Sequence, residues 1–166
     1  MTIDVQAFMQ ATHQETIGTA RIPLPVGEYT GQIDPDPSKM SLEQGTAGDK
    51  AKNPGAPWAR LDINIQIPDP SGSLAAATGR TNPVVRYGIM LDLNASGMPD
   101  FSPGKNINLG RLFKAIGHPV DSKGNIQSPW SFTELPGKPL KITIAHDPNP
   151  NDPANPYERV SAVTSA

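Results

Sequence analysis

Between Trp58 and Ile67 the chain alternates without a break. Leu61, Ile63, Ile65 and Ile67 fall on one face, and Trp58, Arg60, Asp62, Asn64 and Gln66 on the other. Period-2 alternation this strict, and this rich in isoleucine, marks a β-strand that has one dry and one wet face. The dry face commits the chain to a sheet packed over an apolar layer. The wet face carries an indole, a guanidinium and amides, groups suited to stacking a base and meeting a phosphate.

A second strand with the same grammar is expected at Val84–Leu93. There Val85, Tyr87, Ile89, Leu91 and Leu93 alternate inward, and Arg86, Gly88, Met90 and Asp92 outward. A first strand is read at Leu24–Ile33, loosened by Gly27 and Gly31. A closing hairpin is read from Gly137–His146 and Tyr157–Ser165. In its first arm Leu140, Ile142 and Ile144 face in and Lys141 and Thr143 out. In the second, Val160 and Ala162 are assigned to one face and Tyr157, Arg159 and Ser161 to the other. The strong helical signal lies in NINLGRLFKAIGHP, where Leu109, Leu112, Phe113 and Ile116 form one stripe. Asn106 or Asn108 is placed to cap its start, and Gly117 with Pro119 to stop it. Arg111 and Lys114 sit on its opposite face.

The connections are long and polar. The 15 glycines and 19 prolines cluster there, so loops stiffened by proline are expected between the strands. Residues 34–57 and 68–83 read as loops, 147–156 as a Pro-rich hairpin loop, and 120–135 as irregular, holding Trp130 and Phe132. Trp130 reads equally as a loop contribution to binding and as half-buried packing. Near the N-terminus Val5, Phe8, Met9 and Thr12 have helical spacing. Residues 1–22 are therefore read as an arm or short helix and 23–166 as a single domain.

The 166 residues carry a net charge of -2, which argues against binding duplex nucleic acid by bulk basicity while leaving room for a local basic groove. There is no cysteine, hence no disulfide. No apolar run reaches the ~20 residues that cross a bilayer and no leader is recognisable, so the expectation is a soluble, intracellular protein without membrane association. His13, His118 and His146 lack metal-ligand spacing and read as surface residues. Asp92–Gly97 imitates half of a calcium loop, but Pro103 stands where the bidentate glutamate belongs, so a turn is expected. No nucleophile elbow, P-loop or HExxH occurs. Neither catalysis, nor a cofactor, nor a metal is expected.

The order strand, strand, strand, helix, strand, strand is that of an OB-fold, a five-stranded Greek-key barrel with its helix between the third and fourth strands. On that reading Trp58, Arg60, Arg86, Lys141 and Arg159 share a wet face, with Trp58 stacking a base and the cations tracking phosphates. Tyr29 and Tyr157 are weaker stacking candidates. The phrases LPVGEYTGQI, IMLDL, NINLGRLFKAIG, LPGKPLKITIAH and YERVSAV resemble a group of small phage-encoded proteins described as single-stranded DNA-binding proteins with an OB-fold. The resemblance implies coating of exposed single-stranded DNA in phage replication or recombination, in the host cytoplasm, alongside replication or recombination proteins. Bacterial single-strand binders commonly end in an acidic, partner-recruiting tail, to which SAVTSA offers no counterpart. Self-association into a homo-oligomer is compatible with the sequence. Two alternatives stand beside this expectation: a virion structural protein, as capsid decoration or tail component, and an OB-like adaptor that binds protein through a sheet edge or long loop.

Overall fold

The computed structural model describes residues 2–14 and 21–166. The chain is mainly β, one antiparallel sheet of six strands: β1 (Gly27–Ile33), β2 (Ser41–Thr46), β3 (Pro57–Gln66), β4 (Val84–Leu91), β5 (Pro139–Asp147) and β6 (Tyr157–Thr164). The alternating strand is its hub. β4 pairs with residues 59–66 along one edge of β3. The other edge is shared end to end, β2 taking residues 57–62 and β1 residues 65–66. The free edge of β1 carries β5, and β5 carries β6.

Two features differ from a five-stranded barrel. The first is β2, which lies inside the connection 34–57 expected to hold no element. β3 runs on past β1 and leaves its first half with unpaired backbone groups, and β2 satisfies them, as buried polar groups require. The second is closure: the sheet is open, because β4 and β6 run near each other without forming a ladder. In place of a β6 amide, the guanidinium of Arg80 donates to the Val84 carbonyl at 3.2 Å, and Arg21 reaches the same oxygen at 3.5 Å. Both arginines also hold Glu158 of β6, so side chains bridge the seam that backbone leaves unpaired.

The core is the dry face anticipated from the alternation. Leu61, Ile63, Ile65 and Ile67 are at most 3 % exposed, and Val85, Ile89, Leu140, Ile142 and Ile144 join them. On β6 the inward residues are Val160 and Val163, not Val160 and Ala162. A bulge explains the change of parity: Ile144 pairs with Val160 and Thr143 with Ala162, so Ser161 is the extra residue and everything after it flips face.

Three α-helices are formed among the described residues. The first, α1 (Val5–Gln10), is capped by the Asp4 carboxylate, which accepts the Ala7 amide at 3.0 Å, and leaves Val5, Phe8 and Met9 exposed. The second, α2 (Ser73–Thr78), lies in a connection read as loop. It is bounded by Gly72 and Gly79, both left-handed, and is held by the Asp69 carboxylate on the Ala75 amide at 2.9 Å. The third, α3 (Ile107–Ala115), buries Leu109, Leu112 and Phe113 against the open sheet. It ends as the sequence indicates. Gly117 at φ 88° lets its own amide reach Lys114 O and the His118 amide reach Phe113 O, the paired bonds of a Schellman close. Its start is different from the expected cap. Asn106 makes no capping bond; at φ 52° its amide group instead bonds the backbone of Asp92 and Asp100, tying the 92–100 turn to the helix.

The irregular segment 120–135 packs on α3 through aromatic edges. Trp130 lies 5.2 Å from Phe113, 5.3 Å from Phe132 and 5.6 Å from Phe101, all edge-to-face, so its indole is packed half-buried among aromatic rings. His118, expected at the surface, has a side chain only 8 % exposed, and His146 Nε2 is held on the Leu24 carbonyl at 2.6 Å. The His118 ring sits between two acceptors, the Gln127 carbonyl and the Glu134 carboxylate, each at 2.7 Å. Both can be satisfied only by imidazolium. The Gln127 carbonyl, outweighing burial and aided by Glu134, raises its pKa above 6.5. A raised pKa means stability that is complete below the unfolded value and lost as pH rises through the folded one. The melting temperature should therefore fall as pH rises above about 6.5, and His118→Gln should flatten that slope; an unchanged slope in the variant would show that another group titrates. Among the described residues no helix is long and apolar enough to cross a membrane.

Candidate functional site

The wet face forms as the alternation requires, but its charges are spent on one another. Register sets Glu43 of β2 opposite Arg60, and Gly88 of β4 opposite Asp62. Arg60 bonds Glu43, and its Nε donates to Asp62 at 3.0 Å; Arg86 bonds the second Asp62 oxygen. Asp62 consequently is only 4 % exposed although it points away from the core. Burial pushes its carboxyl up, and the hydrogen bonds from Arg86 and Arg60 outweigh that and hold it below its usual range. Gly88 gives the network room, since a Cβ there would lie 2.9 Å from Asp62 Oδ1. Two cations and two anions leave this part of the face without net charge.

Trp58 is half-buried beside this network. Its indole leans over its cross-strand partner Gly45, where a Cβ would come within 2.6 Å of the ring. A residue with a side chain at position 45 would push the ring off the sheet, so the glycine keeps it flat against β2.

The other expected residues are dispersed. Arg159 is ion-paired with Asp147 at 2.9 Å, and Tyr157 beside it is 53 % exposed. Tyr29 shares the inner face of β1 with Gly31 and Ile33, packs against the core, and donates its hydroxyl to Pro25 O at 2.6 Å. Lys141, opposite Thr30 on one side and Thr164 on the other, has no ion-pair partner among the described residues. The structure thus groups Trp58, Arg60 and Arg86, sets Lys141, Arg159 and Tyr157 on β5 and β6, and places Tyr29 on the inner face, apart from them.

The charge left free lies elsewhere. Among the described residues, every arginine but Arg111 is ion-paired. Arg111 and Lys114, both exposed on α3, line two adjoining grooves. One, of about 620 Å³, opens where β4 and β6 diverge, with Tyr87 on one wall and Ser161–Ser165 on the other. Burial raises the Tyr87 phenol pKa, with Arg111 pulling the other way. The second, of about 410 Å³, runs between α3 and the turn 120–125 and adds Lys105 and Lys123. Here helix and turn touch closely, a Cβ on Gly110 falling 2.7 Å from Gly124 O. The sequence signal is residues 105–123, four lysines and arginines against the single carboxylate Asp121. Wet-face periodicity draws attention to the strands and away from it.

Among the described residues no cluster of His, Asp or Glu is placed to hold a metal ion. Neither a protein-family model nor a curated protein matches the chain.

Proposed function

We propose that this protein binds single-stranded DNA without sequence preference, as an OB-like module acting without turnover in phage replication or recombination. The observation that carries the reading is the strand connectivity. With β2 set aside, β1 lies between β3 and β5, β4 flanks β3, β6 flanks β5, and α3 lies in the chain between β4 and β5. That is the pairing scheme of an OB-fold short of its last ladder. β2 then belongs to the loop joining the first two barrel strands, and 147–156 to the loop joining the last two. Trp58 lies on the outer face of β3 beside the first of these loops, across from Gly45, and on this reading it stacks a base, a contact worth about 1–3 kcal/mol. Because Arg60 and Arg86 are already paired, this face supplies stacking more than charge.

A second reading, protein contact in a virion or by an adaptor, draws support from the same neutrality together with the exposed Met90 and Leu42 on β4 and β2. Fluorescence separates the two. Trp130→Phe leaves Trp58 as the sole indole, and titration with oligo-dT should then quench its emission. Binding by anisotropy without quenching would remove Trp58 from the interface; absence of binding would favour the protein-contact reading.

A further inference from the structure

We infer that the phosphate backbone of the bound strand runs over α3 and not along the β3–β4 face, with Arg111 and Lys114 as the central contacts, flanked by Lys105 and Lys123. This rests on the single-strand reading and assigns its electrostatic surface.

Three observations converge. First, the β3–β4 face has no charge to spare. A phosphate brought to Arg60 or Arg86 competes with carboxylates already in contact, and the near-buried Asp62 would lose the partners that keep it ionised inside the structure. At α3 nothing has to be displaced. Arg111 bonds only the Asn108 side chain, at 3.2 Å, and Lys105, Lys114 and Lys123 form no ion pair among the described residues.

Second, the carboxylates nearby are engaged. Asp121 accepts the amides of Lys123 and Asn125 at 2.8 and 2.9 Å, Asp100 the amide of Ser102 at 2.9 Å, and Glu134 is held by His118 and the Ser131 amide. These carboxylates stay charged, so the excess of positive charge rests on the count over 105–123, four lysines and arginines to the one carboxylate Asp121.

Third, the shape is that of a track. Two grooves meet at Arg111 and Lys114, three residues apart on one helix face and hence neighbours. The larger continues to Thr164, which pairs across the β5–β6 ladder with Lys141, the cation of the wet face that lacks an ion-pair partner. Neutral donors, Asn108, Ser161 and Ser165, line the way. A guanidinium fork beside mobile ammonium groups in an elongated open groove suits a flexible polyanion with repeating phosphates. An acidic peptide shares the charge but not the regular repeat.

The test is anisotropy of labelled oligo-dT against wild type and Arg111→Gln/Lys114→Gln across a salt series, with poly-glutamate as competitor. Glutamine keeps the helix propensity, and both positions are exposed, so folding should be retained. The variant should bind more weakly, and its slope of log K on log salt should be shallower by about 1.4, two phosphates at about 0.7 each. Lys105→Gln/Lys123→Gln, in loops, should act in the same direction and serves if the helix variant misfolds. Wild-type binding that both variants reproduce with unchanged slope overturns the inference and leaves the single-strand reading standing. Absence of wild-type binding removes both. Competition by poly-glutamate as strong as by unlabelled dT would overturn nucleic acid as the occupant.

Discussion

Changing Glu158 to alanine should destabilise the protein by about 2–3 kcal/mol, short of the roughly 3–5 kcal/mol that breaking a fully buried ion pair costs because this pair is partly exposed, and lower its melting temperature by roughly 5–10 °C. Glu158 stands at the seam between β4 and β6. Arg80 grips it with both nitrogens, at 2.8 and 3.0 Å, with the two side chains 16 % and 15 % exposed. The Leu24 amide donates to the same carboxylate at 2.8 Å. Arg21 adds a fourth bond, but its side chain is 64 % exposed, so solvent screens most of that contribution. With no ladder between β4 and β6, this carboxylate is the polar tie across the gap.

The same group predicts an acid limb. Burial raises the Glu158 pKa, and the hydrogen bonds from Arg80 and Leu24 with the charges of Arg80 and Arg21 outweigh it, so the folded value lies below 4.5. A depressed pKa means stability that is present above the unfolded value and lost as pH falls through the folded one. Urea midpoints should therefore drop below a pH of about 4.5 in wild type, and Glu158→Ala should show a shallower drop from a lower start. A loss under about 1 kcal/mol, with the wild-type acid limb intact, would mean that apolar packing alone holds the seam.

The second large effect is expected at Phe113. Truncation to alanine should cost about 3–5 kcal/mol. The ring is fully buried and is the common partner of Trp130, Phe132 and His118, at centroid distances of 5.2, 6.4 and 5.5 Å. Removing it opens a cavity under the segment 120–135, which has little regular structure to hold it in place. Trp130 emission should shift to the red in the variant before global unfolding begins. A loss confined to about 1 kcal/mol would show that Trp130 and Phe132 collapse into the space.

How much of this was legible depended on the range of the interaction. The faces of β3 and β4 came from alternation, because burial on one side of a strand is a local pattern. The close of α3 at Gly117 was readable from its sequence for a similar reason. The faces of β6 were not, since one bulged residue, Ser161, inverts the parity of the residues after it. β2 was hidden because its sequence, SLEQGT, is polar and carries a glycine; it is a strand owing to the unpaired edge of β3. Asn106 was visible as a capping residue type but not as the clamp on the 92–100 turn.

The candidate site was legible to the same limit. The sequence shows Arg60 and Arg86 on one face with Asp62, but their mutual neutralisation is a matter of register. Glu43 reaches Arg60 from 17 residues away and Arg86 reaches Asp62 from 24. That pairing turns the most conspicuous cations into structure. On the proposed reading the working charge then falls to Arg111 and Lys114, which the helical pattern marks simply as the solvent side.

The central claim is single-strand binding, and its most direct measurement is the affinity of the wild-type protein for a labelled dT oligonucleotide beside a duplex of equal length, at low and moderate salt. Binding to the single strand, little to the duplex, and a linear fall of log K with log salt are the predicted results. No binding to the single strand even at low salt, or equal affinity for the duplex, would contradict it.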